Sequence, residues 1–145
     1  MQYNSRTRAV SVADFNKDNH LDLAVVNYGS DNIGIFFGKG DGTFENQRTY
    51  STTKGSLPYA ITIFDFNNDT YLDIAIANFG INSISILFGY SNITFGYPII
   101  YSLGSSRPIA ISHGDFNNDL KIDLACVNYG TNDIGILLGN NDDGT

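Results

Sequence analysis

Asp and Asn recur in this chain at spacings that would gather oxygen atoms around a hard cation. The segment from Asp14 to Asp22 places Asp14, Asn16, Asp18 and Asp22 at positions 1, 3, 5 and 9 of a nine-residue loop. The pattern returns in Asp65, Asn67, Asp69 and Asp73, and again in Asp115, Asn117, Asp119 and Asp123. Ca²⁺ takes about six to eight oxygens from carboxylates, amide and backbone carbonyls, and water. A tight loop with ligands at positions 1, 3 and 5 turns three side chains toward one point. The backbone carbonyl at position 7 (His20, Tyr71, Lys121) and the Asp at position 9 complete the shell. The expectation is up to three Ca²⁺, one per loop.

Other readings of these loops fit less well. An EF-hand needs Gly at position 6, Glu at position 12 and flanking helices. Position 12 here is Val25, Ile76 or Cys126, inside a strand. Zinc would call for Cys and paired His, and Mg²⁺ prefers a wetter octahedral shell. Asp and Asn also form ordinary turns, but Asp22, Asp73 and Asp123 each stand in an otherwise apolar strand. A carboxylate buried there without a partner is costly.

The loops also act as a ruler. Their first Asp residues mark a unit of about 50 residues, the size of a propeller blade. Each unit reads as strand, acidic loop, strand, Asn-aromatic-Gly turn and a third strand ending on Gly. The first two units add a fourth strand, Phe44 to Tyr50 and Phe95 to Tyr101. These runs are short, rich in β-branched and aromatic residues, and bounded by Gly, Asn, Asp or Pro. The second strand is apolar on both faces (Leu21, Leu23 and Val25 against Ala24 and Val26), which calls for sheets stacked face to face. The predicted fold is all-β: a β-propeller of four-stranded antiparallel blades. Its repeats span residues 1–50, 51–101 and 102–145, and the last, ending at Asp143-Gly144-Thr145, lacks its outer strand. Eleven strands are expected. Three blades do not close a ring, so a homodimer completing a six-bladed ring, or further blades in a longer chain, is anticipated.

Composition narrows the partners. The net charge is −7, and nine of the 14 Asp lie in the three loops, with Glu45 the single Glu. Three Ca²⁺ would bring that charge to about −1 (−7 + 6). Lys and Arg are few and scattered, which argues against nucleic acid. No apolar run is long enough to span a membrane, and no N-terminal segment reads as a signal peptide. Cys126 takes the place of Val25 and Ile76 and reads as a buried hydrophobe. His113 stands alone in a first strand and reads as a hydrogen-bonded core histidine, so no enzyme is expected. The Asn-aromatic-Gly turns share one face with the inter-blade links, opposite the acidic loops. Tyr28, Phe79, Tyr129 and Arg107 could there meet a protein or glycan ligand, or simply pack between blades. The hairpin Ser91–Thr94 is expected to differ from Asp41-Gly42-Thr43. Asn68-Asp-Thr70 and Asn92-Ile-Thr94 are glycosylation sequons, the second better placed in a turn.

The Asp-Phe-Asn-x-Asp-x-x-[Leu/Ile]-Asp loop, the [Leu/Ile]-Ala-x-x-Asn strand after it, and the ends Phe37-Gly38, Phe88-Gly89 and Leu138-Gly139 carry a resemblance. Together they resemble the FG-GAP repeats, also described as integrin-alpha-like or VCBS repeats, over nearly the whole chain. The resemblance implies a calcium-binding β-propeller of an extracellular or cell-surface protein, with Asp14, Asn16, Asp18, Asp22 and their counterparts as ligands. It also implies recognition or adhesion on the turn face. Loops of that family often carry Gly at position 6, where a left-handed backbone is easy. Asn19 tolerates that conformation and Thr70 and Leu120 resist it, so loops two and three are expected to be distorted or to bind more weakly. Related repeats occur in lectins, which leaves a carbohydrate-binding propeller as an alternative, and an accessory domain of a secreted enzyme as another.

Overall fold

The computed structural model describes residues 6–139. Strands β1 (Thr7–Ala13), β2 (Asp22–Asn27), β3 (Asn32–Phe36) and β4 (Arg48–Ser51) form one antiparallel sheet in chain order. Strands β5 (Pro58–Phe64), β6 (Asp73–Asn78), β7 (Ser83–Leu87) and β8 (Ile99–Ser102) form a second. Strands β9 (Pro108–Gly114), β10 (Asp123–Asn128) and β11 (Asp133–Leu137) form a third. The Asp143-Gly144-Thr145 segment lies outside the described residues. Among the described residues no helix is long and apolar enough to cross a membrane.

The acidic loop joins the first and second strands of every sheet. Register is the same in each: Ala13 pairs with Asp22, Phe64 with Asp73 and Gly114 with Asp123. The fourth strands are shorter than the sequence suggests. Phe44 meets Gly38 and Phe95 meets Gly89 only as isolated bridges. Between that bridge and the Ile35–Arg48 pair, Phe36 and Phe37 oppose the three residues Glu45, Asn46 and Gln47. The extra residue is a bulge that interrupts the outer strand, and the second sheet repeats it.

The sheets stack face to face. Ala24, Val26, Ile33 and Ile35 of the first pack against Ile74, Ile76 and Leu87 of the second, with Ile61 and Ile63 at the margin. The far side of the second sheet, Ala75, Ile84 and Ile86, packs against Leu124 and Cys126 of the third. Strand β6 is consequently buried along its whole length, on both faces. Strands β2 and β10 have one covered face and one more open, because their sheets have a neighbour on one side only. Cys126 is 1% exposed, a packing residue whose thiol is pushed up by burial. His113 lies in the second interface, its Nδ1 2.7 Å from Thr62 Oγ1 and its ring 4.9 Å from that of Phe64.

Candidate metal centres

The three acidic loops share one hydrogen-bond skeleton. Asp14 accepts the Asp18 N–H at 3.2 Å on one oxygen and the Asn19 N–H at 2.9 Å on the other. Asn16 Oδ1 accepts the Asp18 N–H at 3.1 Å, while Asn16 Nδ2 donates to Asp18 Oδ2 at 2.8 Å. Asp18 Oδ1 accepts the His20 N–H at 2.8 Å. The same bonds recur for Asp65, Asn67, Asp69 and the Tyr71 amide. They recur again for Asp115, Asn117, Asp119 and the Lys121 amide. Asn and Asp side chains that capture nearby amides fold the chain locally, so positions 1, 3 and 5 all turn into the loop.

Position 9 does something different. Asp22 is fully buried, and its two oxygens accept the Phe15 and Gly38 N–H groups, each at 2.8 Å. Asp73 holds Phe66 and Gly89 in the same way, and Asp123 holds Phe116 and Gly139. This carboxylate clasps the loop entrance to the end of the third strand. Sequence reasoning marked the Asp but missed the glycine as its partner. A Cβ at Gly38, Gly89 or Gly139 would collide with the carbonyl oxygen of Leu21, Leu72 or Ile122. The signal was available, since Gly stands at the same offset from the loop in all three units.

Burial pushes Asp73 up to about 6 despite the two N–H donors, and the charges of Asp69 and Asp65 add to the rise. Asp22 is also raised by burial, against its N–H donors and with a contribution from Asp18 and Asp14. Asp73 has the greater shift because its sheet is covered on both sides. At the exposed rim, the Lys121 and His20 N–H groups hold Asp119 and Asp18 below the ordinary carboxylate value.

Position 6 is left-handed in all three loops: φ is 66° at Asn19, 75° at Thr70 and 69° at Leu120. Loops two and three are therefore not distorted relative to the first. The hydrogen bonds impose the conformation, and Thr70 and Leu120 carry the strain. The Ser91–Thr94 hairpin differs from its counterpart, as expected: Gly40 and Gly42 are both left-handed, at φ 76° and 87°, whereas only Ile93 is so in the second hairpin, where its N–H also donates to the Tyr90 carbonyl. Ile93 has φ 61°, and Tyr90 bonds to Thr94 as Lys39 does to Thr43, at 3.0 Å. Ile93 is held there by packing against the first core cluster. Asn68 and Asn92 are both exposed.

The donors suit an oxygen-seeking dication: two rim carboxylates, an amide oxygen and a buried carboxylate per loop, while His20, Tyr71 and Lys121 at position 7 are held to the loop through their N–H groups. Among the described residues, no group of three Asp, Glu, His or Cys side chains stands ready to enclose a metal as the side chains lie. They are engaged with the loop's own amides. A carboxylate has about four lone-pair sites, so each oxygen that accepts one N–H keeps further capacity.

The opposite end of the sheets carries the turn residues. Tyr28 meets Tyr59 edge-on at 6.1 Å, Tyr59 lies 5.9 Å from Phe79, and Phe79 lies 6.5 Å from Tyr129. Arg8 stands over Tyr28 and Tyr59, each at 5.0 Å, and Arg107 over Phe79 at 5.4 Å. The three turn aromatics are thus joined in one row. Tyr59 and Arg8 were missed because they belong to first strands, and only the register brings them to the turns. Asp31, left-handed at φ 50°, accepts the Gly55 and Leu57 N–H groups and ties the first turn to the link leading into β5.

A family model described as an FG-GAP-like repeat matches this chain twice, over residues 14–76 and 65–126. No curated protein matches it significantly.

Proposed function

The chain belongs to the FG-GAP-like repeat family, and from that premise we propose that it is a calcium-stabilised segment of a β-propeller serving recognition or adhesion outside the cell or at its surface. Each sheet is one blade, with residues 1–50, 51–101 and 102–145 as the three units. The observation that carries the metal reading is the loop skeleton, built three times from oxygen donors alone. Asp14, Asn16, Asp18, Asp22 and their counterparts would hold the ion, with the His20, Tyr71 and Lys121 carbonyls. A bound dication supplies positive charge that offsets repulsion among three carboxylates. The residues themselves do the structural work: positions 1, 3 and 5 shape the loop, and position 9 fastens it to the third strand.

The role is mechanical, not catalytic. His113, whose imidazole has a hydroxyl partner, is packed between two sheets against Phe64 and Phe66. A ligand that binds the native state at a hundred times its Kd stabilises by about 2.7 kcal/mol per site. Melting the protein in calcium and then in excess chelator tests the reading. We expect Tm to fall by several degrees on chelation; superimposable melts would sink the proposal.

Recognition belongs to the turn face, with a protein or a glycan as partner. The row of Tyr28, Tyr59, Phe79 and Tyr129, flanked by two arginines, favours stacking on a flat or sugar-like surface. A carbohydrate-binding propeller is the second reading. Glycan-array binding that is lost in Tyr129→Ala, a residue 65% exposed, would support it. An array without binders would leave the protein partner.

A further inference from the structure

The acidic loops and the aromatic turns lie in fields of different sign. The loops hold nine carboxylates. Around the turns, the described residues place four cations, Arg6, Arg8, Lys54 and Arg107, all exposed, against two carboxylates, Asp31 and Asp133. Arg6 and Arg8 flank Thr7, which pairs with Asn27 at the first turn. The two carboxylates are already occupied. Asp31 accepts the Gly55 and Leu57 N–H groups at 2.7 and 2.9 Å. Asp133 accepts hydrogen bonds from Asn128 Nδ2 and Thr131 Oγ1, each at 2.8 Å. A chain of net charge −7 thus carries its positive excess on the turn face.

Two of these cations are held in place by the fold. Arg8 leaves β1 and stands over Tyr28 of its own sheet and Tyr59 of the next, each at 5.0 Å. Arg107, in the link that leads into β9, stands over Phe79 of the second sheet at 5.4 Å. Each therefore sits where two neighbouring sheets meet. The ion pairs among the described residues, His20 with Asp18 and Arg48 with Glu45, leave both arginines out. Attraction to a ring's π cloud consumes no N–H donor. Each guanidinium consequently presents its fork to solvent with part of its side-chain freedom already spent. The arginines also cover ring faces of Tyr28, Tyr59 and Phe79 on which a neutral sugar would stack. A guanidinium fork matches a carboxylate through two parallel N–H···O bonds. Two such forks, joined by aromatic rings and followed by the 65% exposed Tyr129, fit a peptide that carries acidic and apolar side chains.

We infer that the turn face binds an acidic peptide segment of a protein partner, Arg8 and Arg107 each gripping one carboxylate and Tyr129 covering an apolar side chain beside them. The inference rests on the protein-recognition reading above and adds the charge of the ligand. Panning the full chain, in millimolar calcium, against random dodecapeptides displayed on phage tests it, with the enriched peptide then labelled for fluorescence anisotropy. Enriched sequences should be rich in Asp and Glu, and their binding should weaken as salt rises. The chain is itself acidic, so unspecific attraction would select basic peptides instead. Arg8→Gln and Arg107→Gln should each weaken binding by roughly tenfold or more while keeping a cooperative melt. Arg107→Lys should recover only part of the loss, because an ammonium is a point charge without the fork. Lys39→Gln, beside the acidic loops, should change nothing. Acidic peptides that bind both Gln variants as well as the wild type overturn the arginine grip. Neutral or basic peptides that Tyr129→Ala releases overturn the acidic ligand and leave recognition on the turn face standing. Binding of a sulfated or uronic glycan, with no acidic peptide enriched, gives the same forks to carbohydrate and overturns the peptide. No enrichment at all overturns the inference together with the protein-partner reading.

Discussion

Two kinds of acidic residue occupy each loop, and they should respond differently to mutation. Asp73 is sealed in the central sheet and satisfies two amides. Removing it leaves two buried N–H groups unpaired, each worth about 1–3 kcal/mol. Asp69 is exposed, and its loss frees only rim groups. In chelator, urea denaturation should show Asp73→Ala destabilised by roughly 2–5 kcal/mol and Asp69→Ala by far less. Equal losses would contradict the clasp. Leu120 makes an opposite case: it is 91% exposed and held at φ 69°. A non-glycine residue in that conformation costs about 1–2 kcal/mol, partly offset by the entropy of an unfolded glycine. Leu120→Gly should therefore stabilise the protein by about 0.5–1 kcal/mol, and Asn19→Gly should do less. Denaturation midpoints of the two variants decide it.

At the scale of elements, His113 is an imidazole set among apolar side chains in the second sheet interface. Thr62, Phe64 and Phe66 face it from the second sheet, and burial holds its imidazole below the ordinary value. The unfolded chain therefore takes up the proton first. The stability this histidine contributes is present above about pH 6.5 and is lost as pH falls through its lowered folded value. His113→Ile, matching Ile63 in the second sheet, should flatten the stability profile between pH 7 and about pH 5. An unchanged slope in that variant would contradict the placement of His113. Much at this scale was readable in advance. Alternation and Gly, Asn and Asp punctuation located the strands, and the repeat fixed which loops lie at which end. The bulge opposite Phe36 and Phe37 was not readable, because Glu45, Asn46 and Gln47 do not announce which of them leaves the ladder. Nor was the left-handed backbone at Thr70, Leu120 and Ile93, where hydrogen bonds or packing override local preference.

The whole molecule is a stack whose acidic loops lie at one end and whose aromatic turns lie at the other. Loops one and two even touch, Lys17 Nζ reaching Thr70 Oγ1 at 3.1 Å and standing 4.0 Å from the Tyr71 ring centre. The repeated unit was legible from the Asp and Asn spacing, and family membership from that spacing together with the apolar strand after each loop and the glycine that ends each third strand. The clasp between Asp22 and Gly38 was not, because the two residues meet only once β2 and β3 are paired. The central claim is that these loops bind calcium as structural sites. Calorimetric titration of Ca²⁺ into the chelator-stripped chain tests it most directly. We expect saturable binding of up to three ions per chain, one fewer in Asp14→Ala/Asp18→Ala, and a rising Tm as the sites fill. An absence of binding heat at millimolar calcium, with the melt unmoved, would contradict it.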